Sequence, residues 1–261
     1  MTLSFELRLR FALRCALRHA LISLLVAGLS ALFVFALLYP PPYDALLSIG
    51  SIFLLLLGVD VVCGPLLTLL LASPIKPLRE RYLDFSLVGL VQLAALFYGL
   101  HSVWMARPAV LAFETDRLVI VTANEVETEM LPFAPAGLNQ LPWWGLLKVS
   151  TRGAKNDQEF LTSINLGLSG ISPAMRPAWW LPWRDGRVGM GKRAKPVIEL
   201  LERRPQDALT LQAAIVATGL PAQELRYLPL TSHRTKDWVA LLDTDMRMVG
   251  HAPVDGFSGH D

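Results

Sequence analysis

Long apolar runs fill the first part of this chain and do not recur in the rest. The runs at residues 20–39 and 85–105 contain no charged residue, and the run at residues 46–72 contains one, Asp60. A helix rises about 1.5 Å per residue, so each run is long enough to cross the roughly 30 Å hydrocarbon core of a bilayer. The pattern predicts three transmembrane helices at about these positions.

After residue 107 the apolar positions come in short runs separated by turn residues. Strand-forming residues beside polar turns predict two hairpins, with strands at residues 109–113 and 118–122 and at residues 238–242 and 246–249. Apolar residues at helical spacing predict helices at residues 157–168, 197–204 and 208–218. Because these hairpins and helices follow one another without β-α-β alternation, we expect an α+β domain.

Composition agrees with a membrane protein and narrows the choice of partner. The chain is 53% hydrophobic and 18% charged, and its net charge is +2. Seven of its 24 basic residues lie in the first 106 positions, and the 17 that remain are matched by 17 acidic residues beyond that point. A neutral domain lacks the basic face that nucleic-acid binding requires.

Basic residues around the apolar runs predict the orientation in the membrane. Four arginines precede the first run and three basic residues lie between residues 73 and 84, whereas residues 40–44 have none. The positive-inside rule therefore places the N-terminus and the second connection in the cytoplasm. With three spans, the chain after residue 107 lies on the other side, which is the periplasm if the membrane is a Gram-negative inner membrane.

The predicted fold class is a three-helix transmembrane bundle followed by a small α+β extracytoplasmic domain. Its parts are a basic amphipathic cytoplasmic N-terminus at residues 1–19, three transmembrane helices within residues 20–106, and a periplasmic domain at residues 107–261. Arginines every four residues in the first part favour a helix on the inner leaflet, although a flank that only sets topology is the alternative. A cleaved signal peptide is disfavoured because the first run is too long.

Asp60 is the one charged residue inside the apolar runs. An ionised carboxylate at mid-bilayer costs about 2.5–3.5 kcal/mol on insertion scales, so it needs a partner or a proton. Counting along the helices places Ser30 and Gln92 at comparable depth, while Gly64 and Pro65 shape the helix. Asp60 is then a neutral group bonded within the bundle, a contact for a partner helix, or part of a proton relay. The relay is disfavoured because no second ionisable group accompanies Asp60.

Tryptophans occur in two clusters among prolines: Trp143 with Trp144, and Trp179 and Trp180 with Trp183. Tryptophan is enriched at protein interfaces and at membrane surfaces, and it also fills cores. The clusters are therefore core residues, a partner groove, or a membrane-facing patch. Because both cysteines of the chain, Cys15 and Cys63, precede residue 107, the domain is expected to be held by its core rather than by disulfides.

Two sequence patterns suggest chemistry that other observations disfavour. Gly186–Arg193 approximates a phosphate-binding loop but has Arg193 where a Ser or Thr would bind magnesium, so we interpret it as a glycine-rich loop. Asp243, Asp245 and His251 could form a metal site, but the two aspartates fall where a hairpin needs turn residues. No cofactor is expected.

Several blocks of the chain resemble the type IV pilin accessory protein family (TfpX/TfpZ). The glycine-valine-aspartate-valine-valine block around Asp60 is the most distinctive of them, and the resemblance runs over nearly the whole chain from about residue 20. The blocks are Tyr39–Pro42, Gly58–Leu69, Val91–Gly99, Ala106–Arg117, Leu225–Leu230, Asp237–Asp243 and Val249–Gly250.

The resemblance implies a non-enzymatic inner-membrane factor that helps a cognate major type IV pilin assemble into the pilus or remain in it. Its expected partners are that pilin, the lipid bilayer and other pilus-assembly proteins. We expect contacts to the pilin from Asp60, Gly64, Pro65, Gln92, Trp143, Trp144, Trp179 and Trp180. Two other classes stay open: a membrane-anchored envelope enzyme with the aspartate-histidine metal site, and an envelope scaffold or sensor subunit.

Overall fold

The computed structural model describes residues 2–257, with side chains from residue 6 onward. Residue 1 of the predicted N-terminal segment and residues 258–261 of the predicted periplasmic domain lie outside the described residues. The chain divides into two compact units. The helix unit comprises Met1–Asp44 and Ser48–Met105, and the sheet unit comprises Ala45–Leu47 and Ala106–Asp261.

Long helices build the helix unit, as the apolar runs predict. Three of them are long and apolar enough to cross a membrane, at Glu6–Leu38, Ile49–Leu71 and Leu78–Met105. Most of their large apolar side chains are exposed, as expected where lipid surrounds a bundle. The helices are α1 (Thr2–Phe33, continued by a π-helical turn at Val34–Leu38), the short α2 (Tyr43–Leu46), α3 (Ile49–Leu71) and α4 (Leu78–Met105).

Helix α1 corrects the idea of a separate amphipathic helix before the first span. It is continuous from Thr2 to Phe33, with no break near residue 19. The first 27 residues contain no glycine or proline to end a helix, and leucine, alanine and arginine are strong helix formers. The basic residues Arg10, Arg14 and Arg18 are therefore exposed on the first turns of the same helix that continues into the span.

Side-chain contacts at one end of the bundle set how the helices align. The ring of Phe35 meets that of Phe53 edge-on, with centroids 5.5 Å apart. Tyr39 is buried and its hydroxyl donates to the carbonyl oxygen of Val103 at 3.0 Å. These contacts hold the end of α1 against both α3 and α4.

A single mixed sheet forms the centre of the sheet unit. Its strand order is β4-β3-β1-β2-β6-β7-β8, with β5 paired to β6. The strands are β1 (Pro108–Glu114), β2 (Arg117–Thr122), β3 (Leu147–Thr151), β4 (Trp180–Pro182), β5 (Lys195–Pro196), β6 (Arg226–Thr231), β7 (Trp238–Leu242) and β8 (Met248–Ala252).

The sheet confirms both predicted hairpins, β1 with β2 and β7 with β8, and adds pairings that were not anticipated. Strands β1 and β3 pair in parallel, as do β2 and β6. Parallel neighbours require the chain to cross over between strands, and here long irregular or helical segments make the crossings. The fold is therefore α+β, as predicted, with strands that are distant in sequence at its centre.

Helices flank this sheet: α5 (Asp157–Leu168), α6 (Trp183–Arg193), α7 (Val197–Arg203) and α8 (Ala208–Thr218). Helices α6, α7 and α8 contribute buried residues to the core, whereas no residue of α5 is buried. Leu200 of α7 and Leu211 of α8 are fully buried against apolar residues of β6 and β7. Gly219, in the left-handed region with φ 71°, ends α8 where the sequence predicts a stop.

Helix α6 replaces the loop that the glycine-rich segment Gly186–Arg193 was predicted to form. A side chain added at Gly186 would collide with Ser150 of β3, and one at Gly189 would press on Phe113 of β1. The glycines are thus explained by the close approach of a helix to the sheet rather than by a flexible loop. No phosphate-binding loop exists at this position.

Polar contacts tie α5 to the rest of the sheet unit. The Asn156 side chain caps the helix by accepting from the backbone N–H of Glu159 at 2.8 Å. Arg152 donates to both carboxylate oxygens of Glu159, at 2.9 and 2.7 Å. Arg176 donates to Ser163 Oγ at 3.1 Å, and the guanidinium groups of Arg152 and Arg176 both lie over the ring of Trp179, 4.6 and 5.1 Å from its centroid. Hydrogen bonds and a stacked tryptophan, rather than a leucine stripe, hold this helix.

Acid is expected to loosen α5. The hydrogen bond from Arg152, followed by the backbone N–H of Lys155, lowers the pKa of Glu159 from 4.5 to about 2. The stabilisation by this ionised carboxylate is therefore present above pH 4.5 and is lost as the pH falls toward 2. Hydrogen exchange of the amides of residues 157–168, corrected for intrinsic rate, should accelerate over that range. Glu159→Gln should abolish the pH response and Asp157→Asn should preserve it; equal responses in all three proteins would contradict the assignment.

Candidate functional site

The three long helices line a half-open cavity of about 210 Å³, and Asp60 is one of its lining residues. Most of its walls are apolar, but each helix contributes at least one polar side chain. Cavities between membrane helices with a few placed polar groups are typical binding sites. The cavity, called here the Asp60 pocket, is lined by His19, Ile22, Ser23, Val26, Ala27, Leu57, Asp60, Gly89, Gln92, Leu93 and Leu96.

Gln92 and Gly64 join α3 to α4 beside the pocket, which confirms the shared depth of Gln92 and Asp60. The Gln92 amide donates to the backbone carbonyl oxygen of Asp60 at 2.8 Å. Gly64 lies one turn further along α3, and a Cβ there would collide with the Gln92 carboxamide. The glycine therefore leaves the space that the Gln92 side chain occupies.

Pro65 follows Gly64 inside α3. A proline has no N–H, so the carbonyl of Val61 loses its ordinary helical donor. In lipid such groups must be satisfied within the protein. The bond from Gln92 reaches the neighbouring carbonyl and so brings a donor from α4 to the weakened turn of α3.

His19 and Ser23 supply the polar groups of α1. His19 Nδ1 lies 2.5 Å from Thr68 Oγ1, and together with the Phe35–Phe53 contact this sets α1 against α3 so that Asp60 lies near Ala27. Ser23, rather than the expected Ser30, therefore lines the pocket. His19 also corrects the expectation that no second ionisable group accompanies Asp60.

The carboxyl group of Asp60 is the chemically distinctive part of the pocket. Its backbone carbonyl is bonded to Gln92, but within the described residues its side chain has no hydrogen-bond partner and lines the cavity. An intramembrane carboxyl group favours a hydrogen-bonding partner because lipid supplies none. The arrangement is suited to holding an apolar segment that brings a polar group to Asp60.

The sequence contains a pattern that could have identified the pocket-lining residues of α1. Positions 19, 23, 27 and 30 recur at intervals of three and four, which places them on one face of a helix. We missed His19 because we began the first span at residue 20.

The tryptophans divide into an exposed and a buried pair. Trp143 and Trp144 are exposed in the irregular segment before β3, where Arg107 donates to the carbonyl of Pro142 at 2.9 Å. Trp180 is fully buried, and its indole N–H donates to the carbonyl of Ala174 at 2.8 Å.

Trp179 is also buried, packed against Arg152 and Arg176. Trp179 and Trp180 therefore serve packing, and the predicted partner contact does not hold for them because they present almost no surface. Trp143 and Trp144 stay candidates for a partner contact.

Asp243, Asp245 and His251 are not arranged as a metal site. Asp243 Oδ1 accepts from the backbone N–H groups of Asp245 and Arg247, at 2.9 and 2.8 Å, which makes it a turn residue. His251 packs on Trp238, and burial lowers the pKa of its imidazole. Across residues 2–257, no group of three or more His, Cys, Asp and Glu side chains is placed to hold a metal ion.

Comparison with known proteins decides the family. The model for the fimbrial assembly protein FimB matches residues 7–48. The fimbrial assembly protein of serogroup I from Dichelobacter nodosus is 33% identical over 254 residues, covering 96% of this chain and 98% of that protein. The chain belongs to the family of fimbrial assembly proteins. This membership confirms the resemblance found in the sequence.

Two further family members show how far the similarity extends. The serogroup E1 protein of the same organism is 33% identical over 254 residues, with 96% and 98% of the two chains covered. The protein of serogroups C1 and C2 is 40% identical over 127 residues, which are 49% of this chain and 97% of that protein. No solved structure matches this fimbrial assembly protein.

Replacing Gly64 by Ala should weaken the helix bundle. The new methyl group would displace the Gln92 carboxamide and break its bond to Asp60. Gly58→Ala is the matched control because nothing lies within 4 Å of its Cβ position on the same helix. Thermal unfolding in detergent should show Gly64→Ala less stable than Gly58→Ala by about 0.6–1.7 kcal/mol. Equal stabilities would mean that this close approach contributes nothing.

Proposed function

We propose that this protein is a non-enzymatic membrane factor that assists the assembly or stability of a cognate type IV pilin. The observation that carries the proposal is the Asp60 pocket, an apolar cavity with an unpartnered carboxyl group inside a member of the fimbrial assembly family. Such a cavity suits the binding of an apolar helix. A pilin subunit held in the membrane by its N-terminal helix is the ligand that fits both the pocket and the family.

The physics of helix association in lipid supports this role for the pocket. In lipid, apolar contact alone contributes little to the free energy of helix association. Helices therefore associate through close packing at small residues and through hydrogen bonds. Gly89 opens one wall of the pocket, and His19, Ser23, Asp60 and Gln92 offer the bonding groups. A bound pilin helix would therefore be held by a few weak interactions, which allows it to leave for the growing pilus.

The names of the relatives support a matched pair of factor and subunit. The relatives are fimbrial assembly proteins of serogroups I, E1, and C1 with C2. Separate assembly proteins for separate serogroups fit a factor that recognises one type of fimbrial subunit. The pilin partner of this chain would then be the one assembled in its own cell.

We also propose that the protein lies in the bacterial inner membrane with its N-terminus in the cytoplasm and the sheet unit in the periplasm. The exposed arginines on the first turns of α1, together with Lys76 before α4 and Arg79 and Arg81 in its first turn, support a cytoplasmic position for this side of the bundle. In this orientation the sheet unit faces the compartment that contains the folded part of a pilin.

Removing the Asp60 carboxyl group should reduce pilin binding. In detergent extracts, we expect Asp60→Leu to co-purify about 3- to 18-fold less pilin, the effect of losing one interhelical hydrogen bond of about 0.6–1.7 kcal/mol. Asp60→Asn should retain part of the binding, and Val62→Ala, on an exposed position of α3, should retain all of it.

Pilus number on the cell surface, compared with a deletion strain, completes this test. If the deletion abolishes pili but Asp60→Leu changes neither pilus number nor co-purification, the pocket is not the binding site. If the deletion leaves piliation normal, the assembly role itself is wrong.

The orientation has its own test in reporter fusions. Alkaline phosphatase, which is active only outside the cytoplasm, should be active when fused after residue 257 and inactive when fused in the connection between α3 and α4. The opposite pattern would place the sheet unit in the cytoplasm and remove its access to a periplasmic partner.

A further inference from the structure

Helix α5 has its apolar residues on the outside. Phe160, Leu161, Ile164 and Leu168 are 57%, 61%, 45% and 84% exposed, and no residue of this helix is buried. These four side chains are called here the α5 apolar face. Helices of globular proteins ordinarily turn such a stripe toward the core. Helix α8 of the same unit does so, with Leu211 and Ile215 buried.

The opposite side of α5 explains why its apolar residues stay outside. The half-buried positions of the helix are Glu159, Ser163 and Leu166, and the first two carry its bonds to Arg152 and Arg176. These bonds fix which side of the helix faces the sheet unit. Helix α5 is therefore capped at its N-terminus and fixed on one side, and its apolar face points outward.

The charges of α5 favour a protein rather than a bilayer as the occupant of this face. A helix that lies on an anionic membrane carries Lys and Arg along its polar side. Helix α5 contains none and instead has Asp157 and Glu159 in its first turn. The helix itself therefore offers no cationic side chain to anionic lipid.

The size of the face favours a transient partner rather than a second copy of the chain. Its four side chains expose roughly 500 Å², which is near the upper end for the largest apolar patch of a monomer. A stable dimer needs about 800 Å² from each partner. An apolar contact smaller than that of a stable dimer suits a protein partner that is bound and then released.

We propose that the α5 apolar face is the docking surface for the folded extracytoplasmic part of the fimbrial subunit. This inference rests on the proposed function, and it adds a second contact outside the lipid to the one at the Asp60 pocket. The subunit surface that docks is apolar and meets Phe160, Leu161, Ile164 and Leu168.

The test compares two leucines of matched exposure. Leu168 on α5 is 84% exposed and Leu209 on α8 is 83% exposed. Full-length protein in detergent carrying Leu168→Lys should bind purified pilin from the same cell at least about tenfold more weakly, the loss expected when an apolar contact residue becomes a charge. Leu209→Lys should bind as wild type does. Ile164→Ser, a milder change on the same face, should weaken binding in the same direction, and the unfolding temperatures should show that all variants are folded.

The outcomes separate this inference from the proposed function. If wild type binds pilin and Asp60→Leu weakens binding, but Leu168→Lys and Ile164→Ser bind as wild type, the α5 contact is wrong and the pocket stands. If wild type does not bind pilin, both are wrong. If Leu168→Lys instead lowers binding to phosphatidylcholine vesicles, or dissociates a dimer on sedimentation, then lipid or a second copy occupies the face and the inference is overturned.

Discussion

The hydrogen bond from Gln92 to the carbonyl of Asp60 is the interaction on which the Asp60 pocket depends. Inside a bilayer a polar group finds no water, so a helix that carries glutamine must place it against another helix. Gly64 makes that placement possible because it has no side chain to occupy the space. With the backbone of Asp60 engaged by Gln92, the carboxyl group of the same residue lines the cavity.

Glycines also allow close approach in the sheet unit, but there the packing is driven by burial of apolar surface rather than by hydrogen bonds in lipid. Gly186 and Gly189 let α6 lie directly on β3 and β1, where apolar burial drives packing. Both cysteines of the chain lie in the helix unit and are free. The sheet unit is therefore stabilised by its core, with Trp180 and Leu200 among its fully buried side chains, whereas helix contacts in lipid rely on small residues and hydrogen bonds.

Sequence reasoning succeeded where local signals were strong. The three spans follow from hydropathy alone, and helix α8 follows from its apolar spacing and the stop at Gly219. It failed where distant segments decide the structure. Nothing local indicates that β6 pairs in parallel with β2, and the glycines of α6 suggest a loop until the strands they approach are known. His19 was missed because a boundary drawn from charge excluded a residue that α1 carries into the same cavity as Asp60.

The polar attachment of α5 separates recognition from folding. Because Glu159 and Ser163 orient the helix, its outward residues carry little of the packing that stabilises the sheet unit. Substitutions among Phe160, Leu161, Ile164 and Leu168 can therefore accumulate without loss of the fold. The outward surface of this helix can therefore change while the scaffold beneath it stays constant.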